Sequence, residues 1–429
     1  MSHPFQLFKN RTFARFFFGN AISLIGWGFN FIAVGWIVLD MTGSKLAVGE
    51  MVAVSTFPGL IIALGAGTLI DRMNRKHLLV ALDTLRGLSV AIIPILFWTD
   101  HFQLWQLYVM SFIVGTGSSI FWSAASAFTQ ELVSEKEFMA ANSLLSASYQ
   151  TGALLGSALG GFVVHSWGGQ TALALDAVSY FISAGLIGTA PHVSNIYSEN
   201  TDSMWSMFIG GLKFARQKRL VFFYGITSVL SDVAIWGGMA VLTLAFSNDI
   251  LNMGAKGFGL LDGSYGIGAL LSTFVALSIA RLFNRRDVLL AAYTLAAMMC
   301  VVLPYTPWLI PAMLVFFFMG LPNNTARIIA RTILMEHIPN RIMGRAQTIL
   351  GVITRLLVIV STLLAGWLAE RYSVKVGLEV TSLLFWFSLA GVWITTRIQP
   401  GFFGGMLKEE TLEKMEPGPP EYLSQHPSD

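Results

Sequence analysis

Twelve stretches of about 20 mostly apolar residues divide this chain, and they leave it few folds to adopt. They fall near 16–39, 46–70, 77–98, 104–128, 140–164, 171–190, 220–246, 257–280, 287–304, 308–330, 344–368 and 375–396. Each is long enough to cross a hydrocarbon core as a helix. Each is too long and too continuously apolar for a barrel strand. Lipid offers no partner to a bare backbone N–H or C=O, so a helix, which bonds its backbone internally, is the conformation such runs can take. The fold class read from this is all-α integral membrane, with twelve transmembrane helices. Composition agrees: the chain is 54% hydrophobic and 12% charged, about half the charged share of an ordinary soluble domain. The single cysteine, Cys300, lies inside an apolar run and excludes an intrachain disulfide.

The opening MSHPFQLFKNRTFARFF is basic and has no small-residue cleavage site, so the first run is read as an uncleaved span. Basic residues then set the expected orientation. Of the 27 Lys and Arg, twenty-one fall on one side, including Lys9, Arg11, Arg15, Lys213, Arg219, Arg327, Arg331 and Arg345. Only Lys45, Lys256, Arg371 and Lys375 fall on the other, and Arg86 and Arg355 lie within spans. This asymmetry predicts cytoplasmic termini and a multi-pass protein of the cell membrane.

The longest internal connection, 191–219, ends in the basic, amphipathic MWSMFIGGLKFARQKR, read as a short helix on the cytoplasmic membrane face. The predicted organisation is a six-helix bundle at 10–190, a linker at 191–219, a second six-helix bundle at 220–397 and a disordered tail at 398–429. The halves repeat each other. At an offset of 205, Ala141 matches Ala346, Gly161 matches Gly366, Glu131 matches Glu336 and Gly115 matches Gly320. MNRKHLLVALDTL at 73–85 is echoed by FNRRDVLLAAYTL at 283–295. Two parallel six-helix repeats are a transporter pattern.

The short charged turn between the second and third spans reads GTLIDRMNRK, with Gly67, Asp71, Arg72, Arg75 and Lys76. These residues resemble the loop between helices two and three of the major facilitator superfamily, of form GxxxDRxGRR or GRK. Asn74 stands where the family has Gly, and Asn also tolerates a left-handed backbone. The resemblance covers residues 10 to 397. It implies two pseudo-symmetric six-helix halves and a cytoplasmic latch. In that latch Asp71 faces the start of span eleven near Gly344, and Arg72 and Arg75 hold neighbouring helix ends. A loop that merely fixes topology is the other reading. The second-half copy has Arg281 in place of the acid.

In span five, Gly152, Gly156, Ser157, Gly160 and Gly161 are similar to the family's efflux-associated motif GxxxGPxxGG, with Ser157 in place of Pro. Glycines four apart share a face that admits a close neighbour, so plain packing is an equal reading. SLIGWGFNFIAVGWIVLDMTGS, FTQELV…AANSLLSAS and GRAQTIL resemble the branch that contains macrolide, drug and enterobactin exporters. That resemblance implies proton-coupled export of a small amphipathic compound that is drug-like, macrolide-like or siderophore-like. A dedicated siderophore or natural-product exporter, or a lipid transporter of the same fold, is the alternative.

Charges inside spans are costly and so are functional candidates. Asp232, near the middle of span seven, is the best-placed proton carrier or partner for a cationic substrate, or else an Asp bonded to a nearby Ser or Trp. Arg355 in span eleven either partners an acid or snorkels to the surface. Asp83 and Arg86 share a face at i, i+3 and are expected to brace the charged turn. Glu50 and Asp262 open spans two and eight as caps or as an outer gate. Asp176 and Glu379 are read as solvated. Trp27, Phe31, Trp36, Phe121, Trp122, Trp236 and Phe317 are candidate cavity aromatics, with plain packing or lipid contact as the other reading of each. Walker A, HExxH and convergent His patterns are absent from the sequence, so an enzyme, a metal site and a cofactor are not expected. The implied energy source is the proton gradient. The expected partners are a small-molecule substrate, protons and the bilayer, with no nucleic acid, and the chain is expected to act as a monomer.

Overall fold

The computed structural model describes residues 4–63, 73–134, 137–191, 204–338 and 340–404. Gly67, Asp71 and Arg72 of the charged turn lie outside the described residues. Twelve long helices run in order: α1 Arg11–Thr42, α2 Lys45–Ala63, α3 Arg75–Trp98, α4 Leu104–Leu132, α5 Phe138–Trp167, α6 Gly169–Gly188, α7 Arg219–Asp249, α8 Gly254–Leu282, α9 Arg285–Val302, α10 Leu309–His337, α11 Asn340–Arg371 and α12 Val374–Ile398. A connecting helix, Met204–Gln217, separates the first six from the last six. Eleven of the twelve are long and apolar enough to cross a membrane by length and composition. The other, α5, has the length but dilutes its apolar residues with Gly, Ser, Asn142 and Gln150.

Local chemistry sets the helix ends. The Asn10 side chain accepts from the Thr12 and Phe13 N–H groups and starts α1. Gly43, at φ 65°, ends α1 in the left-handed region and lets α2 begin two residues later. The six connections on this face, opposite the termini, are one to six residues long. Asn74 does not use the left-handed backbone its Gly-like position suggested. It is extended, at φ −63° and ψ 113°, and its side chain caps α3 by accepting from His77 N–H.

α1 packs on α5 and α6, α3 on α4 and α6, and α2 on α4. The last six repeat this, with α8 on α10, α9 on α10 and α12, and α7 on α12. The two sets meet along two seams, α2 with α11 and α5 with α8. Glycine makes both seams possible. A Cβ on Gly161 of α5 would lie 2.7 Å from the Ala255 carbonyl oxygen and from Gly259 Cα of α8. A Cβ on Gly366 of α11 would lie 2.7 Å from the Lys45 carbonyl oxygen of α2. Gly161 and Gly366 are repeat mates in the sequence, so the seams are related by the same internal repeat.

Both glycine contacts sit toward the face opposite the termini, and polar contacts lock the same end. Lys45 Nζ lies 2.8 Å from Asp249 Oδ2 of α7. Glu370 of α11 accepts from the Ser44 hydroxyl at 2.5 Å and from Leu46 N–H at 3.0 Å, so it caps α2 across the seam. Among the described residues, Lys45–Asp249 is the one ion pair that joins the two sets of helices. The molecule is thus closed on the face opposite the termini.

The repeat also returns as chemistry. Arg75, at the start of α3, pairs with Glu131 near the end of α4. Arg285, at the start of α9, pairs with Glu336 near the end of α10 at 2.7 Å. The second-half copy, though it lacks the acid of the charged turn, keeps this brace. Lys76 Nζ donates to the Ala190 carbonyl oxygen. The stretch 398–404, expected to begin a disordered tail, instead packs. Phe402 and Phe403 are buried, and their rings meet Tyr224 at centroid distances of 5.3 and 5.4 Å. Residues 405–429 lie outside the described residues.

Two measurements test this frame. The Arg75–Glu131 side chains are 9% and 3% exposed, against 27% and 21% for Arg285–Glu336. Glu131→Gln is expected to lower stability by about 3 kcal/mol or more and Glu336→Gln by about 1 kcal/mol or less, read as thermal midpoints of purified protein. Gly161→Leu overpacks the α5–α8 seam by about 1–3 kcal/mol. It should raise labelling of Thr243→Cys, in a Cys300→Ser background, by an impermeant thiol reagent applied to the face opposite the termini. Unchanged labelling would show that the glycine contact does not hold that face shut.

Candidate functional site

A cavity lies between the two sets of helices, with about 790 Å³ of non-protein space, part of it open to solvent. α1 supplies Trp27 and Phe31 to its wall, α5 supplies Tyr149, Gln150 and Ser157, and α7 supplies Trp236 and Thr243. Phe258, Asp262 and Tyr265 come from α8 and Arg327 from α10. The sequence places these groups by helical spacing: Trp27 and Phe31 are one turn apart, as are Phe258, Asp262 and, nearby, Tyr265.

Trp27 is the hub of an aromatic cluster. Its ring centroid is 5.8 Å from Phe31, 6.3 Å from Tyr149 and 6.2 Å from Trp236 across the interface between the two sets. Phe31 in turn lies 5.7 Å from Phe258. Trp122 meets Tyr149 at 5.6 Å without lining the cavity, and Phe317 is not on the cavity wall.

Asp232 and Trp236 flank the start of a π-helical segment, Ala234–Met239, in the middle of α7. Wide turns of this kind occur often at functional sites, because they re-aim side chains inside a helix. Asp232 does not rest on a Ser or Trp. Its Oδ1 faces Arg327 Nη1 at 3.8 Å. Arg327 also donates to Asn324 Oδ1 at 2.6 Å, and Gln150 of α5 donates to the same oxygen at 3.3 Å. Asn324 in turn donates to Ser272 Oγ at 2.6 Å and to the Ala269 carbonyl oxygen at 2.8 Å. A polar chain therefore runs Asp232–Arg327–Asn324–Gln150 and crosses from one set of helices to the other at the cavity.

Arg327 is the residue that sequence reasoning missed. The sequence reading places it with the surface bases because it falls in the last turn of the predicted span, 308–330. The helix continues to His337, which leaves Arg327 well inside it. The signal was present in the polar run Asn323, Asn324, Arg327, three and four residues apart on one face.

The other predicted residues fall as follows. Asp262 lines the cavity opposite Ser157. It stands two turns into α8, too far to cap it. Among the described residues it has no basic side chain within ion-pair distance. Glu50 is exposed on α2 and accepts from the Tyr108 hydroxyl at 3.3 Å, so the closed face is held by Asp249 and Glu370 and not by Glu50. Arg355 neither pairs with an acid among the described residues nor lines the cavity. Its Nη1 donates to the Gly351 carbonyl oxygen one turn back at 3.4 Å. Asp83 and Arg86 form a buried ion pair within the first six helices. Gly152, Gly156 and Gly160 face α1, where a Cβ on Gly156 would stand 2.8 Å from Gly28 Cα, while Gly161 faces α8. Asp176, expected to be solvated, is fully buried against Asn30 and Ser179, whereas Glu379 is exposed.

Comparison with known proteins places this geometry. The chain matches the family described as "Transmembrane secretion effector" over residues 2–401. It is 23% identical over 371 residues to the multidrug efflux pump Tap of Mycolicibacterium fortuitum, covering 83% of this chain and 88% of Tap. It is 21% identical over 388 residues to macrolide efflux protein A of Streptococcus pyogenes, covering 88% and 91%. Among solved structures it resembles the nucleoside transporter NupG, with a TM-score of 0.69 at 13% identity over 90% of this chain and 100% of that one. It also resembles a bacterial homologue of the lysosomal transporter Spinster, inward-facing and unoccupied, with a TM-score of 0.67 at 12% identity over 91% and 98%. At these identities the solved structures establish the fold alone. The chain belongs to the transmembrane secretion effector family of the major facilitator superfamily and is a multi-pass membrane transporter, not an enzyme.

Proposed function

We propose that this transporter exports small amphipathic cations from the cytoplasm in exchange for protons, by alternating access across the cell membrane. The observation that carries the substrate class is Asp262. It faces an aromatic cavity without a basic partner among the described residues, while Arg327 is held by Asp232 at 3.8 Å. A carboxylate beside indole and phenol faces suits a lipophilic cation, which gains both charge pairing and cation–π attraction. An anionic, siderophore-like cargo would place like charge against Asp262 in a poorly hydrated site. Export and drug-like cargo are also what the names of Tap and macrolide efflux protein A suggest.

With cytoplasmic termini, the closed face is the outer one, and the cavity is reached from the cytoplasm. Opening the outer face requires breaking Lys45–Asp249, releasing Glu370 from α2 and separating two glycine contacts. Proton exchange is assigned to Asp232. A proton there removes its attraction for Arg327, freeing the polar chain that reaches Gln150 across the interface. The chain works as a monomer in this reading, with no cofactor beyond the proton gradient.

The test uses purified protein, tetraphenylphosphonium and an uncharged analogue of similar size. Asp262→Asn should weaken binding of the cation about tenfold or more and leave the neutral analogue within about twofold. Equal affinity of the wild type for both compounds would overturn the cationic reading. In proteoliposomes, Asp232→Asn should abolish pH-driven uptake of the cation while binding persists. Uptake at the wild-type rate would remove Asp232 from the mechanism.

A further inference from the structure

Behind the cavity wall, inside the first six helices, lies a second set of charges that transport chemistry in the cavity does not use. Asp83 and Arg86 of α3 and Asp176 of α6 are 0%, 5% and 0% exposed. Asp83 is paired directly with Arg86 and accepts from the Ser183 hydroxyl at 2.6 Å. The Arg86 guanidinium lies over the rings of Phe121 at 4.3 Å and Tyr180 at 4.5 Å and donates to the Ser118 hydroxyl at 3.3 Å. Asp176 receives only neutral donors: Asn30 of α1 at 2.9 Å and the Ser179 hydroxyl at 3.5 Å. The charged groups that reach Asp176 are Arg86 and Asp83.

Two enclosed carboxylates thus share one guanidinium. An unbalanced negative charge in such a place is strongly disfavoured, and one proton removes it. Asp83 is the carboxylate in contact with the cation, so the proton belongs on Asp176. The cluster is not a saturated structural network either. The Tyr180 hydroxyl and Arg86 Nε are buried without a hydrogen-bond partner.

Position ties this group to transport. Asn30 stands between Trp27 and Phe31, which line the cavity from the other face of α1. Gly26 brings the α1 backbone against α6 so closely that a Cβ there would lie 2.6 Å from Asp176 Oδ1. A shift of α1 that re-seats Trp27 must therefore change the surroundings of Asp176.

We infer that Asp176 is a proton-binding site, one helix behind the cavity wall, whose occupancy is coupled to the position of α1 and hence to which face of the transporter is closed. The conformation described here holds the proton. Linkage then requires that loss of the proton favour opening of the face opposite the termini.

The experiment needs no substrate. Thiol labelling of Thr243→Cys in the Cys300→Ser background, applied from the face opposite the termini, is followed against pH. The expected result is labelling that rises with pH in this background and stays low at every pH when Asp176→Asn is added, because Asn imitates the protonated acid. An identical pH profile with and without Asp176→Asn would overturn the proposal, as would a pH-independent profile in the parent. Infrared spectra of the wild type provide the second readout, free of any folding defect in Asp176→Asn. The carbonyl stretch of a protonated carboxylic acid should be present at neutral pH and should shift in Asn30→Leu, which removes a donor to Asp176. An unshifted band, or none, would count against Asp176 as the proton holder.

Discussion

Contact of backbone with backbone, at Gly161 on Gly259 and at Gly366 on the start of α2, is the constraint on which the rest of the molecule depends. Helices that touch through side chains can slide and repack. Helices that touch through main-chain atoms have almost no tolerance, and in lipid there is no hydrophobic drive to compensate a gap. These contacts fix how near the two sets of helices come on one face. That spacing brings Lys45 within reach of Asp249 and Glu370 within reach of the first N–H groups of α2. The cavity is what remains below the seal, where larger side chains, Trp27 and Trp236 above all, hold the sets apart.

The internal repeat is kept in the scaffold and abandoned in the interior. Both halves brace the start of the third helix to the end of the fourth with an Arg–Glu pair. Where the first half has Asp83, however, the repeat places Tyr293, a buried and uncharged phenol. The enclosed charges behind the wall belong to the first half alone, and the charged pair at the cavity, Asp232 with Arg327, to the second. Symmetry therefore accounts for the seams and the braces, and the departures from it mark where protons and cargo are handled.

Much of this was legible in the chain. Apolar runs of membrane length defined the spans, because in lipid hydropathy and helix formation are the same requirement. The repeat makes Gly161 and Gly366 mates, and each stands at a seam. What the sequence did not yield is pairing in depth. Arg327 looked like a surface base because the apolar run fades before the helix stops. Asp176 looked solvated because depth along a helix does not reveal which way a side chain points, and Asn30, its partner, is 146 residues away. Glu50 and Asp262 looked equivalent from their distance to a span start, yet one faces outward at Tyr108 and the other faces the cavity. Periodicity gives faces, and only packing decides which face meets which neighbour.

The connections opposite the termini are one to six residues long, and Gly43 and Gly168, both at positive φ, stand in two of the tightest. On that side the described residues therefore offer little beyond helix ends for an antibody, a protease or a folded partner to grasp. Whatever leaves by that face passes straight into the adjoining medium or the headgroup layer, and any later carrier must collect it there instead of docking to receive it.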